Sequence, residues 1–117
     1  MKAIGWIDKS LTPTPGELEL AAFQIKQHAA RLGVRFVKIL WESRQVDDPL
    51  DKLHEEVHRA DALMVITPSL DHVGGEAEKV TLFAVLVTVV PPEIRQWQSP
   101  MTRSAAALKE GAPTAKP

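Results

Sequence analysis

Residues Lys2–Gly33 read KAIGWIDKSLTPTPGELELAAFQIKQHAARLG, and they hold the transition that decides the fold. Lys2–Ile7 alternates and is closed by Asp8-Lys9-Ser10, the pattern of a short strand running into a turn. Thr14 stands where a helix N-cap is needed. Pro15 takes the first helical position, where its missing N–H is no loss, and Glu17 completes a capping box. Leu18, Ala21, Ala22, Ile25, Ala29 and Leu32 recur at helical spacing, and Gly33 supplies the stop. A strand followed at once by an amphipathic helix is the first half of a βαβ unit.

The chain beyond continues the alternation. Val34–Trp41 is rich in β-formers and reads as a second strand, with Trp41 a core residue. Glu42–Asp48 is a polar loop. Asp48-Pro49 starts a second helix, with Asp48 as cap and Pro49 first in the helix. Its buried stripe is Leu50, Leu53, Val57 and Ala60. Asp61–Thr67 is nearly all apolar, as a central parallel strand should be. After a loop at Pro68–Gly75, Glu76–Val85 forms a short helix with Val80, Phe83 and Ala84 inward. Leu86–Val90 is the last strand, stopped by Pro91-Pro92. The expectation is a three-layer α/β domain over residues 1–98, with a mostly parallel four-stranded sheet and right-handed crossovers. Residues 99–117 are mostly Ser, Ala, Pro, Thr and Lys without periodicity, the composition of a disordered tail.

A length of 117 residues allows one hydrophobic core. With no cysteine, disulfides, thiolate chemistry and Cys-based zinc sites are excluded. No apolar run approaches the roughly 18 residues of a membrane span, so a soluble, cytoplasmic protein is expected. Net charge is −1, unevenly spread. Arg95, Arg103, Lys109 and Lys116 against Glu110 give residues 95–117 a charge of +3, leaving −4 on the rest. A domain that neutralises phosphates normally carries a basic face, and this one does not advertise one.

Ligands of open α/β sheets sit at the carboxyl ends of the strands. Those ends are Asp8-Lys9-Ser10, Glu42-Ser43-Arg44 and Pro68-Ser69-Leu70-Asp71-His72. If the first and third strands are neighbours, Ser10 and Asp71 project into one crevice. They are then either a hydroxyl nucleophile with an acidic partner or ordinary turn and cap residues.

These residues resemble the catalytic domain of serine recombinases, the resolvase/invertase family. That family opens with Gly-Tyr-x-Arg-x-Ser, and Gly5-Trp6-Ile7-Asp8-Lys9-Ser10 is similar. Phe23–Gly33 is similar to its long helix. Asp48-Pro49-Leu50-Asp51-Lys52-Leu53 resembles its Arg-Pro-x-Leu-x-x-Leu helix start, and Leu70-Asp71-His72-Val73-Gly74-Gly75 its Leu-Asp-Arg-Leu-Gly-Arg. The likeness spans about Lys2–Gly75, each motif matched in part. It implies a resolvase-like fold, Ser10 as nucleophile beside Asp71, and DNA and a homodimer as possible partners. In the family, several arginines stabilise the charge of the phosphorane. Here Asp8, Asp48, His72 and Gly75 stand in their places. Phosphoryl transfer rests on positioning and charge stabilisation, so strand exchange is not expected. The expectation is a degenerate recombinase-like binding module whose partner, DNA or protein, stays open, with Ser10 and Asp71 vestigial, Asp8, Asp48 and His72 forming a candidate pocket, and no cofactor.

A competing pattern is His54-Glu55-Glu56-Val57-His58, which fits His-Glu-x-x-His of zinc peptidases. In that reading His54 and His58 bind zinc, Glu55 is the base, and Glu76 or Glu78 supplies a third ligand. The charged Glu56 and Arg59 and the flanking position of the pair fit a solvated helix face instead. A nucleotide-binding or receiver-like domain is a further alternative, using Asp8 and Asp71, but Gly74-Gly75 is too little for a phosphate loop.

Overall fold

The computed structural model describes residues 1–42 and 48–98. The expected disordered tail at 99–117 and the loop interior at 43–47 lie outside the described residues. Among the described residues, five strands and three helices follow one another, alternating as far as the fourth strand. They are β1 (Lys2–Asp8), α1 (Pro15–Leu32), β2 (Arg35–Glu42), α2 (Pro49–Ala60), β3 (Met64–Thr67), α3 (Ala77–Thr81), β4 (Val85–Thr88) and β5 (Glu93–Arg95). Short 3₁₀ turns at Lys9–Leu11 and Leu70–Val73 follow β1 and β3. The sheet order is β2-β1-β3-β4-β5. The first four strands are parallel, and β5 is antiparallel to β4.

The fifth strand corrects the four-stranded expectation. Pro91-Pro92 turns the chain rather than ending the sheet. The Val90–Pro91 peptide is cis, the Thr88 hydroxyl donates to the Pro91 carbonyl at 2.6 Å, and Glu93–Arg95 then pairs back along β4. A proline pair removes two N–H donors, which stops a strand but suits a reversal.

The helix boundaries follow from local chemistry. Thr14 Oγ1 accepts from the Glu17 N–H at 3.2 Å, and its hydroxyl donates to the Glu17 carboxylate at 2.8 Å. Gly33 is left-handed at φ 71°, which glycine adopts without penalty. Its N–H bonds to Ala30 O and that of Val34 to Ala29 O, a Schellman ending. At α2 the expected side-chain cap is absent. Asp48 is left-handed (φ 50°) and makes no capping bond, while its carbonyl accepts from Asp51 and Lys52. The third strand begins at Met64 rather than Asp61. Asp61 is left-handed (φ 56°) and ends α2, its N–H bonding to His58 O and Val57 O.

Two cores sandwich the sheet, so the molecule is layered as expected. On one face Ala3, Ile7, Met64, Ile66, Val85 and Val87 pack against Ala21, Ile25 and Ala29 of α1. On the other, Ile4, Trp6, Val65 and Leu86 meet Leu53 and Val57 of α2 and Ala77 and Val80 of α3. Strand alternation sends successive residues of β1 to opposite cores. Gly5 permits the close approach of α1, since a Cβ there would lie 3.0 Å from both Ile25 Cγ2 and Ile39 Cγ1. A register shift opposite Ala3–Gly5 puts Phe36 and Ile39 of β2, three residues apart, on the same α1 side. Among the described residues no helix is long and apolar enough to cross a membrane.

Candidate functional site

Strand order decides where a ligand can sit on such a sheet. From β1 the chain leaves to α1 on one face; from β3 it leaves to α3 on the other. The diverging connections open a crevice at the carboxyl ends of these adjacent strands. A cleft of about 240 Å³ lies there, with Trp6 and Val73 in its lining. Its charged and polar groups are Asp8, Glu42, Asp48, His72, Glu76 and Lys79.

The residues that build it come from four segments. Asp8 ends β1 and is 1% exposed. Its Oδ1 accepts from the Ser10 N–H at 3.0 Å and from the Ser10 hydroxyl at 2.6 Å. Its own N–H donates to His72 Nδ1 at 3.0 Å. An imidazole nitrogen that accepts a backbone N–H carries no proton, so His72 is the neutral tautomer with hydrogen on Nε2. The indole N–H of Trp6 donates to the His72 carbonyl at 2.9 Å, and the Thr67 hydroxyl to the Trp6 carbonyl at 2.9 Å. β1, β3 and the turn after β3 are thus tied together by side chains as well as by the ladder.

Carboxylates dominate the cleft. Glu42, ending β2, pairs with Lys52 at 3.0 Å. Glu76 pairs with Lys79 at 2.8 Å. The hydrogen bond to Glu76, then its charge and that of Asp48, hold the Lys79 ammonium above the ordinary lysine range. The left-handed backbone that denies Asp48 a capping role leaves its side chain in the cleft wall.

The sequence-derived residues are therefore only partly gathered. Asp8, Asp48 and His72 line the cleft together. β1 and β3 are neighbours, the condition on which Ser10 and Asp71 were to share a crevice, but Ser10 is exposed with its hydroxyl turned back onto Asp8. Asp71 is exposed on the turn carrying His72, outside the cleft lining. Gly75 borders a separate hollow with Arg95. Trp6 and Lys79 went unread as site residues. A tryptophan on the inward phase of β1, and a lysine three residues after Glu76, were the available signals.

The His-Glu-x-x-His segment lies on α2, away from this cleft. His54 stacks on Phe83 with ring centroids 4.4 Å apart and an 11° interplanar angle. Glu55 pairs with Arg59 at 3.5 Å. Glu56 is 6% exposed and bonded to Lys38 at 2.7 Å and Arg59 at 2.8 Å. The Lys38 hydrogen bond outweighs burial and keeps the Glu56 carboxyl below the usual range. His54 and His58 border a hollow with Asp61, whereas Glu76 lines the strand-end cleft. Among the described residues no group of three or more His, Asp or Glu side chains is placed to hold a metal ion.

No family model, no curated protein and no solved structure matches the chain.

Proposed function

We propose that this chain is a resolvase-like α/β domain in which phosphoryl transfer has given way to binding, with a protein partner at the strand-end cleft. The observation that carries this reading is the convergence of Asp8, Asp48 and His72 on one cleft, although they are far apart in the chain. These are three of the four positions where the recombinase resemblance expects arginine. A phosphorane needs cations around it; this cleft offers a neutral imidazole and four carboxylates, of which Glu42 and Glu76 already hold the lysines Lys52 and Lys79. Such a lining repels a DNA phosphate and suits an uncharged or cationic group of a protein. Ser10 fits the same reading, because its hydroxyl is held by a buried carboxylate rather than presented to a substrate. The domain uses no metal or cofactor on this account, and its cysteine-free sequence permits the cytoplasmic setting we assign it.

The partner class is tested by fluorescence anisotropy of a labelled duplex titrated with the full chain at low ionic strength. No saturable binding is expected. Binding that weakens steeply as salt is raised would signal phosphate neutralisation and would return DNA to the account as the partner.

A further inference from the structure

The outward face of α1 carries a stripe that is exposed among the described residues. Ala21, Ile25 and Ala29 face the sheet and are 7%, 0% and 1% exposed. On the opposite side lie Gly16, Leu20, Phe23, Gln27 and Ala30, all exposed. They are spaced four, three, four and three residues apart, the a/d spacing of a helix seam. Leu20 and Phe23 at its centre are 56% and 60% exposed. An amphipathic helix covering a sheet has no need of large apolar residues there.

We infer that two copies of this chain associate through this face, with α1 packed antiparallel against α1 of the second copy. The flanking charges select the occupant and its direction. Glu19 and Lys26 border the stripe on the same side, seven residues apart. A two-fold axis perpendicular to two antiparallel helices brings the same flank of each together. Centred between Leu20 and Phe23, it stacks Leu20 on Phe23 of the second copy and Phe23 on its Leu20. Each Glu19 then meets a Lys26 across the seam, twice by symmetry. The helix is thus complementary to itself in charge as well as in apolar pattern. A parallel two-fold pair would instead put the charged flank of each copy on opposite sides of the seam, where Glu19 and Lys26 of the two copies do not meet. One helix pair is at the small end of protein interfaces, so the dimer is weak and concentration-dependent. The inference is independent of what the cleft binds.

Sedimentation equilibrium of the full chain over a wide concentration range tests it, with circular dichroism to verify that variants stay folded. The wild type is expected to move from monomer mass toward dimer mass as concentration rises. Phe23→Glu, at an exposed position, should weaken association by at least about tenfold with an unchanged spectrum. Glu19→Lys should weaken it by several-fold, and Glu19→Lys with Lys26→Glu should restore it to within about twofold. A wild type that stays monomeric throughout overturns the inference, and so does a dimer indifferent to Phe23→Glu. Failure of the charge swap to restore association overturns the antiparallel pairing.

Discussion

Trp6→Ala is expected to destabilise the fold by about 3–5 kcal/mol, measured as a lowered urea midpoint with an unchanged slope. Trp6 is 1% exposed and packs in the core shared with α2 and α3. Its removal leaves a large cavity on one face of a central strand. It also strips the Trp6–His72 hydrogen bond, which anchors the turn on which the cleft depends. Domains of this size have only about 5–15 kcal/mol of stability, so the variant would sit near the folding threshold. Trp6→Phe separates the two contributions. It keeps most of the ring volume but leaves the His72 carbonyl without this donor, a loss of about 1–3 kcal/mol. A cost for Trp6→Ala below that of Trp6→Phe would contradict the packing described here.

Leu53→Ala and His54→Ala, neighbours on α2, are expected to differ sharply. Leu53 is fully buried, and its truncation should cost about 2–5 kcal/mol. His54 is exposed and touches Phe83 by stacking, worth at most about 1.5 kcal/mol. A zinc site on His54 and His58 reverses that order, because a structural metal contributes folding energy directly. It also predicts that a chelator lowers the melting temperature of the wild type. We expect no chelator effect, and the larger loss at Leu53.

Local chemistry made much of the fold legible. Thr14, Pro15 and Gly33 bound α1 in sequence as they do in space, because caps act within a few residues. The apolar runs located β1, β2 and β3 for the same reason. The failures share a cause, which is that one residue type serves two backbone roles. Asp48 before a proline reads as a cap, yet its left-handed backbone removes it from that role. Asp61 continues an apolar strand by pattern, yet it ends α2. Pro91-Pro92 stops β4 and also starts the reversal into β5.

The site was legible to the extent that it follows from strand order. Asp8 and His72 are 64 residues apart and meet because β1 and β3 are adjacent. Element order is compatible with that adjacency without fixing it. What it does not encode is the direction of each side chain. Ser10 and Asp71 follow adjacent strands but neither lines the cleft, and a hydroxyl at the start of a turn bonds to a near acceptor, here Asp8. His54 and His58 were rightly set on one helix face. Spacing along one helix carries no information about the elements packed opposite it.

On the function we propose, the strand-end site does not perform phosphoryl transfer. Relaxation of supercoiled plasmid by the purified full chain, beside Ser10→Ala, tests it most directly. Both proteins are expected to leave the plasmid supercoiled, indistinguishable from buffer. Nicking by the wild type that is lost in Ser10→Ala would contradict it, and would make Ser10 a working nucleophile in spite of the aspartate that holds it.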